Sequence, residues 1–414
     1  MHTKQLARRI VLAVSPLVLL AGGGCPQSGF LPTSDLPAEA LEQRIVLGGS
    51  AERTIIARTA FDDPFANGFP PFDPFDPASI EAFEPDPPQT DVIVVNLNTL
   101  ESRVVLTGLA VDAFSLITDG QRVAWFDHLD EVVKIVDLDS GAETRLFPGF
   151  LRNRVSRVLV IEGPYVVVQA GPSGAFGTAL IVVNLETNEQ SVIAPALLVN
   201  SFGGFGGLPG SVAIDADTLA VHSWPPLTLE TDLSDEAALA TTIDLVDLGT
   251  GQRTTLLADA GDGGNDSILL TAGRVLLMST PNEFDAVRVT TTVRGISIDG
   301  QTTETLLEFS RDQTLTTSSF IVGFNEWGVL VQVSEFALPP SFRVSDRLEI
   351  RTLAGATIVV AESITTDLLG FGPSLPPDPR LIDNYVVYHD PQVFDFVVFD
   401  VDTQAVRRFD PFAQ

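Results

Sequence analysis

Three histidines follow the first few residues: His128, His222 and His389. Two of them close similar apolar runs, Thr218-Leu219-Ala220-Val221-His222 and Tyr385-Val386-Val387-Tyr388-His389. Aligned on these runs, Gln169, Gln332, Arg58, Met278 and Phe126 take the equivalent place elsewhere in the chain. Imidazole, amide and guanidinium groups at one recurring position could ring the mouth of a channel and bind a ligand or, through the histidines, a metal ion. The simpler reading is a set of ordinary polar residues at strand ends.

A second candidate is the run Asp259-Ala260-Gly261-Asp262-Gly263-Gly264-Asn265-Asp266. Asp259, Asp262 and Asp266 offer hard oxygen ligands on a glycine-rich loop, which suits Ca²⁺. The spacing departs from an EF-hand loop and lacks its closing Glu, so a solvated turn competes and no cofactor is required. The third candidate is apolar. Residues 61–88 repeat Asp-Pro with Phe, and Phe65, Phe69, Phe72 and Phe75 need burial somewhere. They either cap the fold or form a partner-binding patch. Asp410-Pro411-Phe412 has the same chemistry.

Motifs for nucleophilic or phosphate chemistry are missing. G-x-S-x-G does not occur, and no helical pattern follows Gly171-Pro172-Ser173-Gly174. Gly203-Gly204-Phe205-Gly206-Gly207 lacks the Lys and the strand-to-helix setting of a phosphate loop. With 54 Asp and Glu, no carboxylate pair stands out.

The elements that must position these residues are strands. Short runs of Val, Ile, Leu, Thr and Phe alternate with Gly, Asp and Asn turns, and helical periodicity is almost absent. One unit runs Gly120-Gln121-Arg122-Val123-Ala124-Trp125-Phe126, then 132–139, Ser140-Gly141, and 143–147. Its third strand recurs around Asn96, Asp137, Asn184, Asp247, Ser297, Arg351 and Asp400, at separations of 41, 47, 63, 50, 54 and 49 residues. A four-strand unit at this spacing is a propeller blade. One such sheet cannot cover its own two faces, whereas sheets packed around an axis cover each other. The expectation is an all-β, seven-bladed propeller of four-stranded antiparallel blades over residues 43–414, as one domain.

The unit 119–146 resembles the TolB-like and WD40-like propeller repeat of bacterial envelope proteins, through Asp119-Gly120, Val123-Ala124 and Ile135–Leu138 followed by a turn. That resemblance implies fold far more than activity. The leader has the same flavour. Lys4, Arg8 and Arg9 precede an apolar run from Ile10 to Leu20, then Gly22-Gly23-Gly24-Cys25. This resembles a bacterial lipoprotein signal over residues 1–24, although Gly22 stands where that family usually has Leu. The resemblance implies lipidation of Cys25, a tether over residues 25–42, and an extracytoplasmic, outer-membrane-anchored protein.

The charge agrees with a body held off anionic headgroups. The 414 residues carry 24 Lys and Arg against 54 Asp and Glu, a net charge of −30. This excludes nucleic acid as a partner, since phosphate binding needs clustered cations. One Cys excludes a disulfide framework and Cys-based zinc sites. The membrane is reached through the lipid alone, and the body is expected to be a monomer.

With the strands of each blade labelled A to D from the axis outward, the A–B and C–D turns are short. All length variation falls in the B–C and D–A connections, notably 61–90, 224–240, 334–344, 195–210 and 363–379. These open on one end of a propeller, and long loops on a rigid scaffold are where binding concentrates. The expectation is a non-enzymatic binding or scaffold module for an envelope protein or cell-surface ligand. The alternative is a hydrolase or lyase with a site in the axial pocket built from His222, His389 and nearby acids.

Overall fold

The computed structural model describes residues 42–60, 88–127, 130–146, 155–170, 179–193, 197–198, 210–224, 240–258, 260, 266–280, 288–312, 317–336, 344–365, 379–390 and 395–412. These residues form seven antiparallel sheets, each of four strands in simple chain order, with the two-residue strand Leu197–Leu198 added to the fourth. Blade 1 spans residues 42–110, blade 2 117–146, blade 3 155–193, blade 4 197–257, blade 5 267–312, blade 6 317–365 and blade 7 380–409. Ala113–Ser115, a single 3₁₀ turn, is the only helix among the described residues.

Seven apolar clusters join the blades pairwise. Ile55 and Ala57 of blade 1 meet Val123 and Trp125 of blade 2. Ala124 and Ile135 meet Val166 and Val168, and Val167 and Leu180 meet Leu219 and Val221. Ala220 and Ile243 meet Val275 and Leu277, Leu276 and Met278 meet Val329 and Val331, and Leu330 and Leu348 meet Val386 and Val397. The last cluster brings Val387 and Phe396 of blade 7 back to Ile56 and Ile93 of blade 1. The sheets therefore close into a seven-bladed β-propeller. Middle strands are covered on both faces, which is why Tyr165–Ala170 is buried at every residue and reads as an unbroken apolar run. Outer strands such as Glu143–Leu146 are mostly exposed and polar.

The recurring Asp or Asn has a local cause. It ends strand C, and its side chain caps the C–D turn. Asp137 Oδ1 accepts from the amides of Asp139 at 3.1 Å and Ser140 at 2.7 Å. Asn96, Asn184 and Asp400 accept from the amides two and three residues on in the same way, and Asp247 from that of Thr250. In these five blades the turn closes between the cap carbonyl and the amide four residues later. That fifth residue adopts positive φ in each case: Leu100, Gly141, Asn188, Gly251 and Gln404. The amide after the cap then reaches back to the A–B turn, as Leu138 does to the carbonyl of Gln121 at 2.9 Å.

Blades 5 and 6 use a tighter turn. It closes three residues on, at Gly300 and Gly355. A hydroxyl then replaces the carboxylate or amide: Ser297 Oγ accepts from the Thr302 amide and Thr352 Oγ1 from the Ala356 amide, each at 3.0 Å. In blade 6 the pairing Gly328↔Thr352 corresponds to Arg122↔Asp137 in blade 2. The capping position is therefore Thr352, not Arg351, because the sequence alignment slipped by one residue where the shorter turn removed its marker.

Hydrogen bonds from the Ser140 hydroxyl and then from the Ser140 and Asp139 amides hold the Asp137 carboxyl below the usual range. Asp137→Ala is expected to cost about 1 kcal/mol, a typical value for a lost cap. Asp137→Asn should be close to neutral, since Asn serves the same turn in blades 1 and 3. Urea denaturation of the two variants beside the parent checks both.

Among the described residues, no strand is exchanged at the ring's junction. Glu42–Ser50 is the inner strand of blade 1 and pairs with Arg53–Ala60 of the same sheet. Side chains close the seam between blades 7 and 1 instead. The Ala51 amide donates to Asp383 Oδ2 at 2.7 Å, Arg380 Nε to the Val46 carbonyl at 2.9 Å, and the Tyr385 hydroxyl to Asn98 Oδ1 at 2.9 Å. Beyond the last strand, Phe412 lies under the guanidiniums of Arg44 at 5.1 Å and Arg58 at 4.6 Å, and Asp410 lies 3.5 Å from Arg44. The C-terminal Asp-Pro-Phe thus latches the ring shut.

Candidate functional site

Strand pairing fixes the position shared by the two histidines. Phe126, Gln169, His222, Met278, Gln332 and His389 pair with Val133, Leu180, Ile243, Val293, Leu348 and Phe396 of their own third strands. In blade 1 the corresponding third-strand residue is Val92, and its partner is Ala57. Arg58 is one step further and points to the opposite face of the sheet. The polar Arg58 had drawn the sequence alignment off by one, since a small apolar residue at the shared position carries no signal.

These side chains do not encircle the axis. They alternate with residues facing the preceding blade, so each sits in the seam toward the next blade. His222, on Thr218–Trp224, is fully buried between blades 4 and 5. Its Nε2 lies 2.9 Å from Thr241 Oγ1, and its amide donates to the Ser211 carbonyl at 2.8 Å. Burial, helped by the nearby Arg294 guanidinium, lowers its pKa from 6.5 to about 4. His389 is buried between blades 7 and 1, its ring 5.3 Å from Phe396. Gln169 accepts from Arg157 Nε at 3.0 Å, and desolvation pulls that guanidinium below its ordinary pKa. Gln332 is half-buried in blade 6. Arg58 is held by Asp91 at 2.6 Å and by Phe412. The two histidines therefore occupy separate seams, and the structure does not bring them together.

Of the acidic loop's candidate ligands, only Asp266 is described. It is buried at the start of blade 5 and accepts from the Thr280 amide at 3.2 Å. Asp259, Asp262 and Asn265 lie outside the described residues, as do His128, residues 1–41 of the leader and tether with Cys25, and Phe65, Phe69, Phe72 and Phe75. Among the described residues, no group of three His, Cys, Asp or Glu could hold a metal ion.

The two ends of the ring differ as expected. The A–B turns and the C–D turns emerge at one end, each only a few residues long. Every B–C and D–A connection leaves from the other, including 61–88, 225–241 and 366–379. At the short-turn end, Arg53 and Arg122 each donate to a glycine carbonyl of the next blade's turn, Gly120 and Gly163. These contacts staple blade 1 to blade 2 and blade 2 to blade 3 at that end.

Sequence reasoning missed a charged stripe in blade 6. Arg347, Glu349 and Arg351 alternate along Val344–Thr352 and so share one face of the sheet, turned toward blade 5. The Glu349 carboxylate is 3% exposed and lies 3.1 Å from Arg347 Nε, with Arg351 Nη2 on its other oxygen. The period-two pattern R-x-E-x-R was the available signal.

No family model matches the chain, and no curated protein matches it. Among solved structures, the β-propeller domain of the Trilobed protease from Pyrococcus furiosus, described as having an open velcro topology, is 11% identical with a TM-score of 0.49, over 90% of this chain and 98% of that one. Pyrococcus horikoshii acylaminoacyl peptidase is 10% identical with a TM-score of 0.47, over 89% of this chain and 52% of that one. An oligogalacturonate lyase in complex with manganese is 12% identical with a TM-score of 0.38, over 70% and 73%.

Proposed function

We propose that the chain is a lipid-anchored, extracytoplasmic binding module, which holds an envelope protein or other cell-surface ligand at the end of the ring that carries its long connections and catalyses no reaction. The observation that supports this reading is the asymmetry of the ring. One end is built from seven short A–B turns and seven short, capped C–D turns, and every long excursion leaves from the other. A rigid base with variable loops on one side suits recognition. The acidic body, at −30, fits a protein tethered through Cys25 and repelled by anionic headgroups. The reading needs no cofactor.

A pull-down from detergent-solubilised envelopes tests it. The full chain should retain a specific envelope protein or glycan. Deletion of residues 61–87 should abolish that retention, and the double variant His222→Gln, His389→Gln should keep it. Retention unchanged by the deletion would sink the reading. A hydrolytic or eliminating activity lost in the double variant would favour the enzyme instead.

A further inference from the structure

Between the outer strand of blade 5, Thr303–Asp312, and the first three strands of blade 6 lies a cleft of about 150 Å³. It sits in the half of the seam nearest the long connections. Arg311, Arg347 and Arg351 all line it, in a chain with only 24 Lys and Arg. Glu349 is clamped between two of them and neutralises one charge. Glu335 lies 4.0 Å from Arg347 with its side chain 56% exposed, so water screens it.

Arg311 is the unusual member. It is 8% exposed, yet its partners are neutral: Nε donates to Thr291 Oγ1 at 3.2 Å and Nη1 to the Ser319 carbonyl at 2.8 Å. Among the described residues no carboxylate pairs with it, and desolvation alone lowers its pKa. A guanidinium buried without a counter-charge is costly. Two further buried polar atoms of the same lining have no hydrogen-bond partner, Ser319 Oγ and Arg351 Nε. Ser319 is 3% exposed. Beside them lie Phe309, whose ring is 5.8 Å from the Arg351 guanidinium, and Val331.

We infer that this cleft binds a carboxylate carried on a short apolar stem. The anion supplies the missing counter-charge to Arg311 and accepts from Ser319 Oγ and the Arg351 guanidinium. The stem rests on Phe309 and Val331. The volume, about 150 Å³ against the ~30 Å³ share of one water, admits a small acid or the last residue of a peptide. This inference is independent of the partner held by the long connections.

Calorimetric titration of the full chain in detergent, at fixed ionic strength, tests it. Propionate should bind saturably and propionamide should not. Arg311→Met should weaken propionate at least about tenfold, as expected for loss of a charge-assisted hydrogen bond, and should leave thermal stability equal to or above the parent's, because it removes an unpaired buried charge. Ser319→Ala, whose hydroxyl has no partner to lose, should fold normally and bind several-fold more weakly. A peptide with a free C-terminal carboxylate that binds tenfold tighter than propionate identifies a protein terminus as the source, and equal binding identifies a small acid. Binding of inorganic phosphate but not propionate, equal binding of propionamide, or unchanged affinity in Arg311→Met overturns the assignment.

Discussion

Phe396→Ala is expected to destabilise the protein by about 3–5 kcal/mol, the range for emptying a fully buried aromatic site. Phe396 has no exposed surface and packs against His389 at 5.3 Å, Phe409 at 6.0 Å and Phe412 at 6.5 Å. Its position makes the loss matter more than its size alone. Six seams of the ring are also spanned by the chain passing from one blade to the next. Among the described residues, the seam between blades 7 and 1 is held through side chains and no strand crosses it. A cavity there weakens the single junction without covalent support and loosens the Phe412 latch over Arg44 and Arg58. Phe399→Ala, in the chain-linked seam between blades 6 and 7, gives the comparison. Urea midpoints should fall for both, and proteolysis near the chain ends should rise only for Phe396→Ala. A loss below about 1 kcal/mol for Phe396→Ala would mean that the junction is held elsewhere.

The second large effect is on pH dependence. His222 is buried neutral, with its pKa lowered from 6.5 to about 4 by burial and then by Arg294. In the unfolded chain it takes up a proton below about 6.5, whereas the folded protein resists until about 4. Across that window the unfolded state binds more protons, so stability falls as pH falls. The full difference is worth about 3 kcal/mol, present above pH 6.5 and lost by pH 4. His222→Gln keeps an amide able to reach Thr241 Oγ1 and removes the titration. Urea midpoints measured at pH 7, 5 and 4 should therefore separate as pH is lowered, the parent losing about 3 kcal/mol more than the variant between pH 7 and pH 4. Parallel profiles would show that His222 does not carry the effect.

Much of the architecture was legible because its cause is local and repeated. An Asp or Asn capping a turn, followed by a positive-φ residue, leaves the same trace in five blades. The strand runs reveal double-sided burial by their lack of alternation. The one-sided loops follow from counting residues between turns. What could not be read was register at single-residue precision. Arg351 stood in for Thr352, and Arg58 for Ala57, because each choice rests on a pairing partner rather than on the residue itself. The same limit hid the direction of His222 and His389. Whether a second-strand side chain faces the axis or a neighbouring sheet depends on how the sheets stand, which no periodicity states. The junction was undecidable for a related reason: the run Arg44–Leu47 reads as the first inner strand, and nothing in it excludes the outer strand of the last blade. The Arg347–Glu349–Arg351 stripe was visible as a pattern, but its meaning comes from Arg311 across the seam.

Each blade is made from one uninterrupted stretch of residues. Gene duplication or loss of one such stretch would add or remove a whole sheet and leave no orphaned edge behind. A ring zipped by a shared blade lacks that freedom, since its first and last segments must stay matched to one another. The unit that such a ring can gain or lose is a whole sheet, and the Phe412 contact over Arg44 and Arg58 is what ties the last sheet to the first.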